Sequence, residues 1–239
     1  MVRKQPTPKN PHKHFRWRSH EPTRLETFSD AAFAFAITLI IVSLEVPKSF
    51  DELFETMKGT LSFAICFTII FQIWNTQNLF FRKYGLKDSL TTTLNGMLLF
   101  VVLMYAYPLK FLFELLFGKG TYMLNGVEHA MIGPGQIGTL MIIYGIGYTV
   151  IYLLFYFMHI NALKHAEEIE LTHKEIYDTK TEVYMNFTCA CIGSLTILLA
   201  AFLPTGLKGF SGFVYFLLPV AFPLIYGLRG KRSRKLFPA

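Results

Sequence analysis

The chain has 239 residues, of which 52% are hydrophobic, 16% are aromatic and only 16% are charged. A soluble domain typically carries about 25% charged residues, so the deficit indicates a protein that crosses a membrane several times. The formal charge of +7 does not indicate a nucleic-acid partner, because the basic residues cluster in loops between apolar runs and form no single patch.

The chain begins with a basic segment, 1–23, that is rich in Pro, His, Lys and Arg and has no apolar period. This composition predicts a largely disordered cytoplasmic tail, with the charge to contact anionic lipid head groups. Because the first thirty residues are polar and basic, we expect no cleavable signal peptide.

Six apolar segments follow, each close to the roughly 20 residues that a helix needs to cross a bilayer. They cover about 27–46, 60–81, 90–117, 136–159, 182–203 and 211–228. The glycine-rich stretch 118–135 predicts a loop, and 161–181 predicts a charged helical extension. The predicted fold is therefore an all-α integral membrane protein, with a six-helix transmembrane domain over 24–228 and a basic C-terminus over 229–239.

The orientation of these spans follows from the distribution of lysine and arginine. Of the 23 lysines and arginines, 18 lie in the N-terminal tail through Arg24, in the connections 82–89 and 161–181, and in the C-terminus. The remaining basic residues are Lys48, Lys58, Lys110, Lys119 and Lys208. Since cytoplasmic loops carry the excess of positive charge, both termini are predicted to be cytoplasmic, which requires an even number of spans.

The first apolar segment carries Phe35, Thr38, Leu39 and Val42 on one helical face. An apolar face with one hydroxyl is able to line a narrow pore when several copies surround an axis. The alternative is that this face packs against lipid or other helices, with the Thr38 hydroxyl bonded back to the carbonyl of Ala34. The spacing alone leaves both interpretations open.

Asp30 lies near the start of the same helix and is expensive to place in a membrane without partners. By the predicted topology, polar side chains of the second and third spans lie at a similar depth, namely Trp74, Asn75, Thr76, Gln77, Asn78 and Asn95. We therefore predict a polar clamp that fixes the rotation of the first helix. A water-exposed Asp30 at the membrane surface is the alternative.

Motifs of enzymes and metal sites do not fit this chain. Gly133–Gly138 matches a nucleotide-binding glycine pattern, but no strand precedes it and a proline interrupts it. The three cysteines, Cys66, Cys189 and Cys191, lie inside apolar segments and have no ligand spacing. We expect neither an enzyme, nor a bound metal, nor a cofactor.

The pattern Arg24-x-x-x-Phe28-Ser29-Asp30 is followed by Ala-Phe-Ala-Ile-Thr-Leu and then by Leu44-Glu45-Val46-Pro47. The pattern continues with the run from Trp74 to Phe81, with Leu94-Asn95 and with Pro108. This combination resembles the signature of the transmembrane protein 175 family, which comprises the potassium channels of endosomes and lysosomes and their bacterial relatives.

The resemblance implies a homotetramer whose central pore is lined by the first helix of each subunit. By position, the apolar constriction corresponds to Phe35, Leu39 and Val42, and the hydroxyl layer that favours potassium corresponds to Thr38. The network that supports the pore helix corresponds to Arg24, Phe28, Ser29 and Asp30, with Trp74, Asn78 and Asn95. Two positions depart from the family, because Phe35 replaces an aliphatic residue and Gln77-Asn78 replaces a pair of histidines common in bacterial relatives.

The sequence thus predicts a passive, potassium-preferring channel in the cell membrane, with potassium ions and lipid as its partners besides further copies of the chain. Glu45 is placed at the extracellular mouth, where it would concentrate cations. A proton- or cation-coupled transporter, a proton-permeable pore and a scaffold without transport stay open as alternatives.

Overall fold

Long α-helices dominate the computed structural model, which describes residues 15–42, 49–50, 54, 57, 60–117, 120–124, 127–133 and 135–237. The helices are α1 (Arg24–Val42), α2 (Thr60–Tyr84), α3 (Ser89–Phe117), α4 (Gln136–Lys164), α5 (His173–Phe202) and α6 (Leu218–Leu236). A 3-10 helix, Thr205–Leu217, runs directly into α6.

Within the described residues, α3, α4, α5 and the continuous 3-10/α6 segment are long and apolar enough to cross a membrane. Helix α1 has only 19 residues and carries three charged side chains, Arg24, Glu26 and Asp30, in its first two turns. The second half of α2 carries several amide side chains. The chain is therefore a multi-pass helical membrane protein.

The connection between α3 and α4, predicted as a loop, contains a short antiparallel hairpin. Strand β1 (Thr121–Leu124) pairs with β2 (Val127–Ala130), with Thr121 opposite Ala130. The backbone N–H of Met131 donates to the carbonyl of Gly120 at 2.9 Å and closes the base of the hairpin. Neither Thr-Tyr-Met-Leu nor Val-Glu-His-Ala alternates strictly between apolar and polar residues, so the pattern does not predict a strand here.

The boundaries of the last two helices also differ from the prediction. Helix α5 begins at His173 because Thr172 and Glu175 form a capping box, so residues 173–181 of the predicted charged extension belong to α5 itself and residues 161–164 to α4. The sixth span starts as a 3-10 helix, and α6 begins at Leu218 with a proline in its first turn. Proline is tolerated there because a first-turn N–H has no partner within the helix.

The helices form two layers that meet along α3 and α4. Helix α1 packs on α2 and α3, whereas α4 packs on α5 and on the 3-10 helix. Gly145 allows the close approach of α4 and α5, since a Cβ there would lie only 2.5 Å from Cγ1 of Ile197 on α5.

Residues 15–19, the end of a segment predicted to be largely disordered, are packed against the helices. Phe15, Arg18 and Ser19 are all buried. A basic, proline-rich segment gives no periodic signal of such packing.

Asp88 caps the start of α3 and ties it to α4. Its carboxylate accepts hydrogen bonds from the Thr91 backbone N–H at 3.1 Å and from Asn161 Nδ2 at 2.9 Å. Burial raises the pKa of Asp88, but the hydrogen bonds from Thr91 and Asn161 outweigh this effect and bring the pKa below its ordinary value of 3.8.

Asp88→Ala is expected to lower the free energy of unfolding by about 1–2 kcal/mol, because the cap of α3 is lost. Since the folded-state pKa is depressed, this stabilisation is present above the ordinary pKa and is lost as the pH falls below it. Thermal unfolding in detergent at pH 7 and at acid pH measures both effects. Glu168→Ala, at an exposed position of the α4–α5 turn, is the control that should change little. Equal melting temperatures for the two variants at pH 7 would contradict the capping role.

Candidate functional site on helix α1

One face of α1 is left uncovered by the rest of the subunit. The residues of this face, here called the open face, are exposed and recur at helical spacing: Arg24, Thr27, Phe28, Ala31, Ala34, Phe35, Thr38 and Ile41. On the opposite face, Phe33, Ala36 and Ile40 are at most 2% exposed and join the core with α2 and α3. The packing therefore fixes the rotation of α1 and directs the open face away from its own subunit.

The predicted pore-lining residues do not all occupy the middle of the open face. Phe35 is 57% exposed and Thr38 lies about one helical turn further along the same face. Leu39 is half-buried and stands about 100° around the helix from Thr38, at the edge of the open face. Val42 ends α1, but its side chain, like all of Glu45, lies outside the described residues.

The Thr38 hydroxyl donates to the carbonyl oxygen of Phe35 at 2.8 Å. The predicted acceptor was the carbonyl of Ala34, and both carbonyls are within reach of a threonine on a helix. Because the single hydroxyl proton is used inside the helix, the lone pairs of Oγ1 are left as acceptors at an exposed position. An acceptor oxygen without its proton in the way is suited to contact a cation.

Asp30 is held by a side chain of α2. The indole Nε1–H of Trp74 donates to Asp30 Oδ1 at 2.7 Å. This hydrogen bond between side chains of two helices holds the first two turns of α1 against α2.

A second chain of hydrogen bonds joins all three helices of this layer. Asn95 Nδ2 of α3 donates to Ser29 Oγ of α1 at 2.9 Å, and Gln77 Nε2 of α2 donates to Asn95 Oδ1 at 3.0 Å. Ser29, Gln77 and Asn95 are each at most 1% exposed. The Ser29 hydroxyl in turn donates to the carbonyl of Leu25 at 2.8 Å. Each of these buried side chains is therefore bonded, and the three helices are locked in one register.

Three residues predicted for this network lie elsewhere. Asn78 accepts from Arg82 Nε of its own helix at 2.9 Å, and the buried amide is Gln77. Arg24 and Phe28 lie exposed on the open face. Gln77 and Asn78 stand at i+3 and i+4 from Trp74, so spacing alone places both near the same face.

The described residues contain no group of three His, Cys, Asp or Glu side chains that could hold a metal ion. What the site offers instead is an exposed, mostly apolar helix face with one hydroxyl, supported from behind by buried polar bonds. A multi-pass fold with such a face defines a membrane channel or transporter class.

Comparisons with known proteins narrow this class. A model of the family described as "Endosomal/lysosomal potassium channel TMEM175" matches residues 24–105. A protein of Marivirga tractuosa named "Potassium channel" is 38% identical over 231 residues, which is 93% of each chain. A potassium channel of Chamaesiphon minutus is 30% identical over 104 residues, or 40% of this chain and 51% of that protein.

Solved structures give the same result. The crystal structure of the potassium channel MtTMEM175, a T38A variant bound to a nanobody–MBP fusion protein, superposes with a TM-score of 0.78 at 36% identity. The match covers 93% of this chain and 98% of that one. A homologue from Chamaesiphon minutus shares the fold, with a TM-score of 0.54 at 21% identity over 84% of this chain and 95% of that one. The chain belongs to the TMEM175 family of potassium channels, and it is an ion channel rather than an enzyme.

Proposed function

We propose that four copies of this chain surround a central axis with the open faces of their α1 helices and conduct potassium between them. The observation that carries the proposal is the exposure of Phe35 and Thr38 on a helix whose other face is buried in its own subunit. In a cyclic assembly the open face of each copy is covered by the other copies, because every copy presents the same face to the axis. The number four comes from the resemblance to the family.

Each subunit crosses the membrane six times in this arrangement. Helix α1, at 19 residues, is about 28 Å long and close to the ~30 Å hydrocarbon thickness. The excess of basic residues in the terminal segments and in the second and fourth connections supports an orientation with both termini in the cytoplasm. Exposed aromatic rows then face lipid, such as Phe210, Phe213 and Phe216 on the 3-10 helix.

The pathway combines apolar rings with one polar layer. Phe35 and Val42, two helical turns apart, form the constrictions, and Leu39 lies beside them. An apolar ring of this kind blocks hydrated ions when it loses its water. Between them, four Thr38 oxygens replace part of the water that a permeating ion sheds. Potassium loses its hydration shell at lower cost than sodium, which gives the selectivity. Glu45 concentrates cations at the extracellular mouth.

Thr38→Ala is expected to lower the potassium-to-sodium permeability ratio about two- to tenfold, because 1.4 kcal/mol of lost ion stabilisation corresponds to a factor of ten. The measurement is the reversal potential of reconstituted protein in asymmetric potassium and sodium. Thr68→Ala is a matched control, since Thr68 on α2 is also exposed and its hydroxyl also donates to its own helix, to Ala64 at 2.7 Å.

The proposed function fails if wild-type liposomes carry no potassium flux. The selectivity layer fails if Thr38→Ala and Thr68→Ala both keep the wild-type reversal potential. A flux that saturates with driving force would indicate a coupled transporter instead of a pore.

A further inference from the structure

The segment Phe15–Ser19, here called the N-terminal strap, lies across the end of α2. The backbone N–H groups of Arg18 and Ser19 both donate to the carbonyl of Arg82, at 2.8 and 3.3 Å. The ring of Phe15 meets the buried ring of Tyr84 edge-on, with 5.6 Å between centroids. The strap therefore satisfies a carbonyl at the end of α2 and covers part of its apolar surface.

Arg18 is the centre of the strap and is almost fully buried. Its Nη2 forms an ion pair with Glu175 Oε2 of α5 at 2.8 Å, with side chains only 4% and 3% exposed. The same guanidinium donates from Nε to the carbonyl of Ile169 at 2.6 Å and from Nη1 to that of Lys83 at 3.1 Å. One side chain thus joins α2, the α4–α5 turn and the first turn of α5.

The carboxylate of Glu175 is held by further hydrogen bonds. Besides pairing with Arg18, its carboxylate accepts from the backbone N–H of Arg16 at 2.7 Å and from that of Thr172 at 2.9 Å. Removing either partner would leave an uncompensated charge inside the protein, which is costly.

The strap is connected to α1 by a short tether. Thr23 caps α1, because its Oγ1 accepts from the backbone N–H of Glu26 at 3.2 Å. From Ser19 to Thr23 the chain advances four residues, so even a fully extended tether spans at most about 14 Å. The tether therefore limits how far the strap and the start of α1 can move apart, and links the two mechanically.

We propose that the Arg18–Glu175 ion pair positions α1 by coupling it to the α4–α5 layer, so that this pair sets how readily the pore opens and leaves its selectivity unchanged. The proposal rests on the proposed function, in which α1 lines the pathway. Arg18 and Glu175 do not contact the ion and act only through the tether.

The first test compares charge-conserving variants, Arg18→Lys and Glu175→Asp, in potassium flux from liposomes. Lysine lacks the fork of Arg18, and aspartate withdraws the carboxylate by one methylene. We expect the flux rate of each to change at least about threefold, with the reversal potential unchanged. Arg16→Lys is the matched control, because Arg16 pairs with Glu170 on the surface, at 3.4 Å and with side chains 47% and 66% exposed.

The second test leaves the ion pair intact and lengthens the tether by inserting two glycines between His20 and Glu21, both of which are exposed. A purely structural role of the pair predicts wild-type flux, whereas coupling through the tether predicts the same change as in Arg18→Lys. If the point variants fail to fold, the insertion decides alone.

Wild-type flux in the insertion variant, or a shifted reversal potential in any folded variant of the strap, would overturn the proposal. The proposed function is judged separately, by whether the wild-type protein conducts in the same preparation. A conducting wild type with an unaffected insertion variant refutes the coupling alone.

Discussion

Phe35→Ala is expected to raise potassium flux through reconstituted vesicles by about tenfold, which corresponds to a barrier lower by about 1.4 kcal/mol. The Phe35 side chain is 57% exposed on the open face, so in the proposed tetramer four rings would meet near the axis. Phenyl rings form an apolar constriction that excludes water, and removing them lets water and hydrated ions through.

A matched control separates this effect from general damage. Phe100 on α3 is 65% exposed but does not belong to α1, so Phe100→Ala removes a ring of the same size from a surface outside the proposed pore. Its flux should equal that of the wild type. Flux that is unchanged in Phe35→Ala, or equally raised in both variants, would contradict the assignment of Phe35 to the constriction.

Asn95→Ala is expected to lower the free energy of unfolding by about 2–4 kcal/mol. Asn95 is fully buried and bonds to both Ser29 and Gln77. Its removal leaves a buried hydroxyl and a buried amide without their partner, and α1 loses its registration to α3. Thermal unfolding in detergent and the oligomeric state by size-exclusion chromatography measure the loss.

Asn78→Ala is the control for this substitution. Asn78 follows Gln77 on α2 and carries the same kind of side chain as Asn95, yet it accepts its hydrogen bond from the exposed Arg82 of its own helix. Its removal should change the stability by no more than about 0.5 kcal/mol. If Asn78→Ala were the more damaging variant, the supporting network would have to run through Asn78 rather than Gln77.

The sequence was sufficient to predict the helical membrane class and the level at which polar residues meet. Asp30 needed a donor at its own depth, and Trp74 supplies it. The choice between Gln77 and Asn78 was out of reach, because both positions are near the face of Trp74 and only the tilt of α2 decides which one points inward. The same uncertainty applies to Leu39, which is half-buried at the edge of the open face, whereas Ile41 is exposed.

The features that could not be predicted from the sequence are those without a periodic pattern of apolar residues. Phe15 and Arg18 belong to a short, polar, basic segment, and their burial depends on partners more than 60 positions away, such as Tyr84 and Glu175. The hairpin between α3 and α4 is likewise set by pairing across a short turn. By contrast, the start of α5 carried a readable signal, because Thr172 and Glu175 have the spacing of a capping box.

Block by silver ions, which match potassium in charge and react with thiols, tests most directly whether the open face lines the ion path. Thr38→Cys is introduced with Cys191→Ser, since Cys191 is the exposed native thiol among the described cysteines, and flux is recorded in nitrate salts. Silver should abolish potassium flux in Thr38→Cys and leave it unchanged in the Cys191→Ser background and in Thr68→Cys. Persistence of the flux in silver-treated Thr38→Cys would show that ions do not pass along this face of α1.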